Sequence, residues 1–244
     1  MRDKKRAIFI IILFILLLQA AALSGTARES DSFGQVKAAM RAIRRADNLQ
    51  YTYESTISYQ NGNETSRVEV CSDQLTGSWR AEYFKVDADG AWMFLQQYCN
   101  GKEIFHRSGN EDFWTGNGQE ENLKAPNLSE LVSLDYDSDD ILEETVVSEG
   151  DLKKISHNFQ IDYMMDMMKQ YQNAKVVDAG VDYWVDRKGV LKKKRFSLAL
   201  MQPEKTERND ITDGQEEIRI NIEVEVTDYN RDRIAAKVSE ATEF

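Results

Sequence analysis

The sequence has 244 residues, with 31 Lys or Arg against 42 Asp or Glu, and a formal net charge of −11 at pH 7. Such an acidic chain repels nucleic acid and anionic lipid headgroups, so nucleic-acid partners are not expected. It has no glycine-rich phosphate loop, no nucleophile elbow and no HExxH motif. The sequence therefore predicts a protein that is not an enzyme and that carries no cofactor and no metal.

The first 27 residues have the layout of a secretory signal peptide. Four basic residues among the first six precede the unbroken apolar run Ala7–Leu18, and small residues follow it. The alternative is an uncleaved membrane anchor, although this run is short against the roughly 20 residues that a spanning helix needs. In both cases, residues 28–244 are expected to form one domain outside the cytoplasm, either secreted or anchored to the outer face of the cytoplasmic membrane.

A helix and five strands are predicted next. The helix covers Ser32–Asn48, since apolar residues recur there at helical spacing. From Leu49 to Arg107, apolar and polar residues alternate with the period of two that is typical of half-buried strands, and Asn/Gly turns separate the runs. A tight turn at Gly62-Asn63 would pair Ile57 with Val68, which keeps the apolar faces together.

The second half continues the same pattern. A hairpin is predicted over 141–159, a methionine-rich helix over Ile161–Asn173, and three further strands over 176–228. In the last strand every second residue is Ile or Val, and polar residues stand between them. This alternation predicts a sheet with one buried and one solvated face.

Calcium binding and histidine chemistry are both disfavoured by the sequence. The acidic run at residues 135–140 lacks the glycine and the glutamate that a calcium loop needs at its sixth and twelfth positions, so a solvated acidic turn is expected. His106 and His157 both lie within strand patterns, so ordinary packing in the sheet is expected rather than catalysis or metal binding.

The sequence supplies one argument for and one against a disulfide between Cys71 and Cys99. An exported protein with two cysteines favours one. The predicted strand register argues the other way, because it places both cysteines beside Ser78 on the same face but two strands apart. That spacing is about 9.5 Å, beyond the roughly 7 Å that an unstrained bridge spans.

The order of elements resembles a known superfamily. The unit VDYWVDRKGVLKKKRFSL, residues 181–198, is similar to the W-I-D-x-x-x-x-L-x-K signature of the periplasmic lipoprotein carriers (the LolA/LppX-like fold), with Val185 at the position of the isoleucine. The resemblance implies an α+β fold: a mostly antiparallel, curved sheet forming an open β half-barrel, with two or three helices on its concave side. It also implies a groove that holds acyl chains or other lipids.

The leading functional hypothesis is a binding protein that holds a lipid or another apolar ligand in this groove. The candidate ligand contacts are the apolar residues of the predicted inner face and of the methionine-rich helix: Tyr51, Tyr53, Ile57, Trp79, Tyr83, Trp92, Phe94, Met164 and Met168. The alternative is that these side chains fill a closed core. The chain would then be an extracytoplasmic interaction or sensing domain that binds a membrane or cell-envelope protein by its surface or a strand edge.

Overall fold

The computed structural model describes residues 32–109, 111, 113–117, 123–134, 136–160, 175–205 and 211–231. Helix α1 covers residues 32–44, and α2 covers Leu128–Val132. The strands are β1 Asn48–Tyr59, β2 Gly62–Asp73, β3 Ser78–Asp87, β4 Gly90–Asn100, β5 Ile104–Ser108, β6 Thr115–Asn117, β7 Ile141–Glu149, β8 Leu152–Phe159, β9 Lys175–Asp186, β10 Leu191–Lys205 and β11 Ile211–Tyr229.

All eleven strands belong to one antiparallel sheet in the order β6-β5-β4-β3-β2-β1-β11-β10-β9-β8-β7. Two meanders, β1 to β6 and β7 to β11, are joined where β1 pairs with β11. The sheet is curved. It is also open, because β6 and β7 lie at its opposite ends. The predicted α+β class and the predominantly antiparallel, curved sheet are therefore confirmed.

The predicted number of helices was wrong for the part of the chain that the structure describes. Instead of two or three helices on the sheet, these residues contain one long helix, α1, and the single-turn α2. A 3-10 turn, Ser138–Asp140, completes the helical structure there. The helix predicted over Ile161–Asn173, with Met164 and Met168, lies outside the described residues, as does the predicted signal peptide. No described helix is long and apolar enough to span a bilayer.

The core lies between α1 and one face of the sheet, called here the inner face. Helix α1 contributes residues at the spacing that the sequence predicted, Val36, Ala39, Met40 and Ile43, each at most 2% exposed. They belong to one cluster with inner-face residues of both meanders, such as Tyr51 and Val70 on one side and Ile155 and Leu198 on the other. One helix thus bridges both halves of the sheet and buries apolar surface of each.

The outer face is charged, as the alternation in the last strand predicted. Ion pairs link neighbouring outer-face residues: Arg67 with Glu69, Arg80 with Glu82, Lys154 with Asp182, and Lys193 and Arg195 with Glu223. Burial by itself would raise the pKa of the Glu223 carboxyl, but hydrogen bonds and charge from Lys193 and Arg195 outweigh burial and lower that pKa.

The register of the first hairpin differs from the prediction. Val68 pairs with Tyr53 rather than with Ile57, because the turn lies between Tyr59 and Gly62 and not at Gly62-Asn63. The difference is four residues along β1. Since the side-chain period of a strand is two, an even slip keeps every side chain on its predicted face.

Candidate ligand-binding face

One end of the inner face is closed by a segment called here the strap, residues 123–134. Side chains from separate elements hold its backbone carbonyls. The hydroxyl of Tyr51 donates to the carbonyl of Pro126 at 2.5 Å, and Nε1 of Trp79 donates to that of Leu123 at 2.8 Å. Nζ of Lys194 donates to the carbonyl of Ser133 at 3.0 Å.

Tyr51 and Trp79, two of the predicted ligand contacts, are therefore part of the closed core. They are 1% and 2% exposed, and their polar atoms bind the strap. Val70 pairs with both Tyr51 and Ala81, Cys99 pairs with Trp79, and these three neighbours are at most 1% exposed. This end of the face is filled by the protein's own side chains, as the alternative interpretation of the sequence expected for the whole face.

The other end of the face exposes an aromatic cluster made of Tyr83, Trp92 and Phe94. The Phe94 ring lies 6.3 Å from Tyr83 and 6.0 Å from Trp92, centroid to centroid. Trp92 is 50% and Phe94 38% exposed. A register shift between Tyr83 and Phe84 pairs Leu95 with Tyr83 and Met93 with Phe84, so the intervening Phe94 is the extra residue of a β-bulge. Such a bulge re-aims side chains, and here it brings Phe94 beside Tyr83.

Small side chains lie next to this aromatic cluster. Ser55 of β1 pairs with Ser66 of β2, and their neighbours in the sheet are Ile222 on one side and Lys85 on the other. Tyr53 and Ile57, the remaining predicted contacts in this region, are half-buried in β1. On the far side of this serine pair, Nζ of Lys85 lies 5.9 Å from the centroid of the Trp92 ring.

A cleft of about 560 Å³ lies elsewhere, between α1 and the turns after β7 and β9. Gln35, Lys153, Asp186 and Arg187 are among the residues that line it. Several of these groups already bind protein atoms: Lys153 donates to Gln35, and Asp186 accepts from the backbone of its own turn. None of the predicted ligand residues lines this cleft.

A buried polar network centred on His157 was missed by the sequence analysis. Nε2 of His157 lies 2.9 Å from a carboxylate oxygen of Glu144, and Nδ1 lies 2.6 Å from the hydroxyl of Tyr136. The Tyr136 hydroxyl is 3.0 Å from that of Tyr183, and Ser32 at the start of α1 donates to Glu144. These partners are 13 to 125 residues from His157 in sequence, so local patterns carry no signal for them.

The network fits a neutral imidazole. With its proton on Nε2, His157 donates to Glu144 and accepts from Tyr136, which leaves both ring nitrogens satisfied. The side chain is fully buried. Burial lowers the pKa of His157, and the opposing effect of the Glu144 carboxylate is smaller. Packing within a strand was predicted for His157, and its polar partners show what that packing requires.

Cys71 and Cys99 are not joined by a disulfide and lie on opposite faces of the sheet. Cys71 pairs with Arg80 on the outer face, whereas Cys99 pairs with Trp79 on the inner face. The predicted pairing of both cysteines with Ser78 was therefore wrong. The pairing of β3 with β4 differs from the prediction by one residue, and an odd slip moves a side chain to the other face.

Comparison with known proteins finds no match among protein families and none among curated proteins. Among solved structures, the chain is similar to the Mycobacterium tuberculosis lipoprotein LppX, with 12% identity over 81% of this chain and 94% of that one, at a TM-score of 0.43. A LolA superfamily protein from Nitrosomonas europaea shows 10% identity over 80% and 93% of the two chains, at a TM-score of 0.26. The MucA/MucB complex of Pseudomonas aeruginosa shows 8% identity over 86% and 97%, at 0.32.

The chain resembles the LolA/LppX-like superfamily. The names LppX and LolA, which these two solved structures bear, are the names of the superfamily that the sequence at residues 184–193 resembles. With identities of 8–12% and TM-scores below 0.5, the likeness does not identify the ligand or partner of this chain.

Proposed function

We propose that this protein is a non-enzymatic binding protein that works outside the cytoplasm and holds the alkyl chain of a lipid on the open end of its inner face. The observation that carries the proposal is the contrast along that face. Trp79 is 2% exposed under the strap, whereas Trp92 is 50% exposed in an aromatic cluster on the same sheet. The signal-peptide pattern of residues 1–27 supports the location.

The physical basis of binding is burial of apolar surface. Each CH2 group that leaves water contributes about 0.8 kcal/mol before the costs of ordering ligand and side chains. The rings of Tyr83, Phe94 and Trp92 offer such a surface, and the small pair Ser55 and Ser66 lies on the neighbouring strands β1 and β2.

Native mass spectrometry of the domain, purified from a bacterial host and followed by solvent extraction, tests the proposal. A co-purifying lipid that is lost in Trp92→Lys and Phe94→Lys supports it. The matched control is Leu75→Lys, since Leu75 is 76% exposed in the turn between β2 and β3. A protein free of lipid that takes up no fluorescent fatty acid would refute it, and so would retention of lipid by both variants.

A second candidate, binding of a partner protein, is favoured by one observation. Edge strand β7 exposes Leu142, Val146 and Val147 at 70%, 45% and 53%, and none of the described strands pairs with its outer edge. An exposed edge can accept an extended segment of another chain. Slower amide exchange in β7 upon addition of cell-envelope extract, with no lipid found in the purified domain, would favour this function over the first.

A further inference from the structure

Two polar side chains of the inner face lie beside the aromatic cluster and are not explained by packing. His106 of β5 and Gln97 of β4 are direct cross-strand partners. Both are half-buried. His106 shares its face with Ile104, which is buried opposite Cys99, so the imidazole belongs to the inner face.

Nδ1 of His106 is shielded from solvent and has no hydrogen-bond partner among the described residues. A buried nitrogen of this kind normally has a partner, because leaving it unpaired forfeits the hydrogen bond that water would make. Since the ring as a whole is half-buried, rotation about its χ2 bond can turn Nδ1 towards the exposed side of the face.

Gln97 connects this nitrogen to the aromatic cluster. The hydroxyl of Tyr83 donates to Oε1 of Gln97 at 2.6 Å, which leaves the amide N–H groups of Gln97 as donors towards the inner face. Tyr83 in turn contacts Phe94, and Phe94 contacts Trp92. A polar pair and an apolar surface are therefore continuous over three neighbouring strands.

We propose that His106 and Gln97 bind the oxygen-bearing head of a single-chain amphiphile whose alkyl chain lies on Tyr83, Phe94 and Trp92. The inference rests on the proposed lipid-binding function and specifies the ligand class and its orientation. The head lies next to the strap-covered end, and the chain extends towards the exposed end of the face.

The donor and acceptor pattern accommodates two kinds of head. A hydroxyl donates to Nδ1 of His106, when the ring proton is on Nε2, and accepts from the amide of Gln97. A carboxylate accepts from Gln97 and from Nδ1–H in the other tautomer. An alkane makes neither bond and leaves both groups unpaired, so the site discriminates against it.

Imidazole 15N NMR of the full domain at pH 8 tests the proposal, because the chain has only two histidines and each can be followed separately. The probes are decanoic acid, 1-decanol and decane, each delivered from cyclodextrin. The acid and the alcohol are expected to shift the ring nitrogens of His106, whereas decane leaves them in place. His157, which is fully buried, is the internal control.

Variants supply a second readout. His106→Leu and Gln97→Leu are expected to weaken binding of 1-decanol about tenfold, the effect of one hydrogen bond, with no change for decane. His106→Asn retains a polar atom near the position of Nδ1 and should bind like the wild type. This variant keeps the test usable if His106→Leu does not fold. Gln160→Leu, in an exposed residue after β8, is the matched control.

The outcomes distinguish this inference from the proposed lipid-binding function on which it rests. Binding of all three probes with equal affinity and an unchanged His106 spectrum would overturn the head-group site and leave an apolar groove. Binding of none of the three would overturn the proposed function and this inference together. Binding of the acid and the alcohol that is unaffected by both leucine variants would also overturn the assignment of these residues.

Discussion

The hydroxyl of Tyr136 lies 2.6 Å from Nδ1 of His157, and this hydrogen bond joins the loop that follows the strap to strand β8. On the other side of the ring, the Glu144 carboxylate accepts a hydrogen bond from Nε2–H at 2.9 Å. Phe33 of α1 packs on both rings, with centroid distances of 5.8 Å to Tyr136 and 5.9 Å to His157. The loop after the strap, β7 and α1 therefore all contact one neutral histidine of β8.

Acidification is expected to weaken this junction. Because burial lowers the pKa of His157 in the folded protein, the unfolded chain binds a proton first as the pH falls. The stability contributed by the neutral ring is complete above about pH 6.5 and is lost as the pH falls towards the lower folded-state pKa, by at most about 1.4 kcal/mol per pH unit.

The variant His157→Gln tests the sign, since the amide can still donate to Glu144 and accept from Tyr136 but does not titrate. Urea unfolding should show the wild type more stable by about 1–3 kcal/mol at pH 8, with a smaller difference at pH 5. His106→Gln is the control. A difference that grows on acidification would mean that the folded protein holds an imidazolium paired with Glu144.

The two tryptophans of the inner face should differ in their contribution to stability. Trp79→Ala removes a ring that is 2% exposed and should lower the free energy of unfolding by about 3–5 kcal/mol. Trp92→Ala removes a ring that is 50% exposed, and a loss below about 1 kcal/mol is expected. Chemical denaturation of both variants measures the difference. Equal losses would show that the face is closed along its whole length.

The strap should depend on the hydroxyl of Tyr51. Tyr51→Phe deletes the bond to the carbonyl of Pro126 and leaves that carbonyl without this donor, so a loss of about 1–2 kcal/mol is expected. Hydrogen exchange should also become faster in residues 123–134 than in β1. Tyr59→Phe is the matched control, because Tyr59 is 37% exposed at the end of β1. Unchanged exchange in the strap would contradict this role.

Both thiols should react without a reducing agent. Cys71 and Cys99 are not joined by a disulfide and lie on opposite faces, so alkylation in denaturant alone should add one group to each cysteine. Under native conditions Cys71 should react faster, since Cys99 is fully buried. Intact mass spectrometry distinguishes these states. A mass that shows no alkylation until reductant is added would reveal a disulfide.

Local alternation was sufficient to predict the strands and their faces. In β11, the predicted inward residues Val224 and Val226 are 2% and 4% exposed, while the intervening Glu223 binds Lys193 and Arg195 on the outer face. A period of two is a property of consecutive residues, so it can be identified without knowledge of any partner strand.

Register was harder to predict because it depends on which of several neighbouring polar residues form the turn. An even error between β1 and β2 left Val68 on its predicted face, whereas a one-residue error between β3 and β4 placed Cys71 and Cys99 on one face instead of two. The predicted face of a strand residue is therefore correct when the register error is even and wrong when it is odd.

By itself, the sequence determined the antiparallel strands, their inward apolar residues and the amphipathic helix that covers them, because each follows from the periodicity of adjacent residues. Only the tertiary structure decided which inward residues are core and which face an open surface. Tyr51 donates a hydrogen bond to a strap carbonyl 75 residues away, and Trp79 donates to one 44 residues away. Trp92 has no such cover among the described residues and is 50% exposed. Burial depends on contacts between residues that are distant in sequence, and no local pattern specifies them.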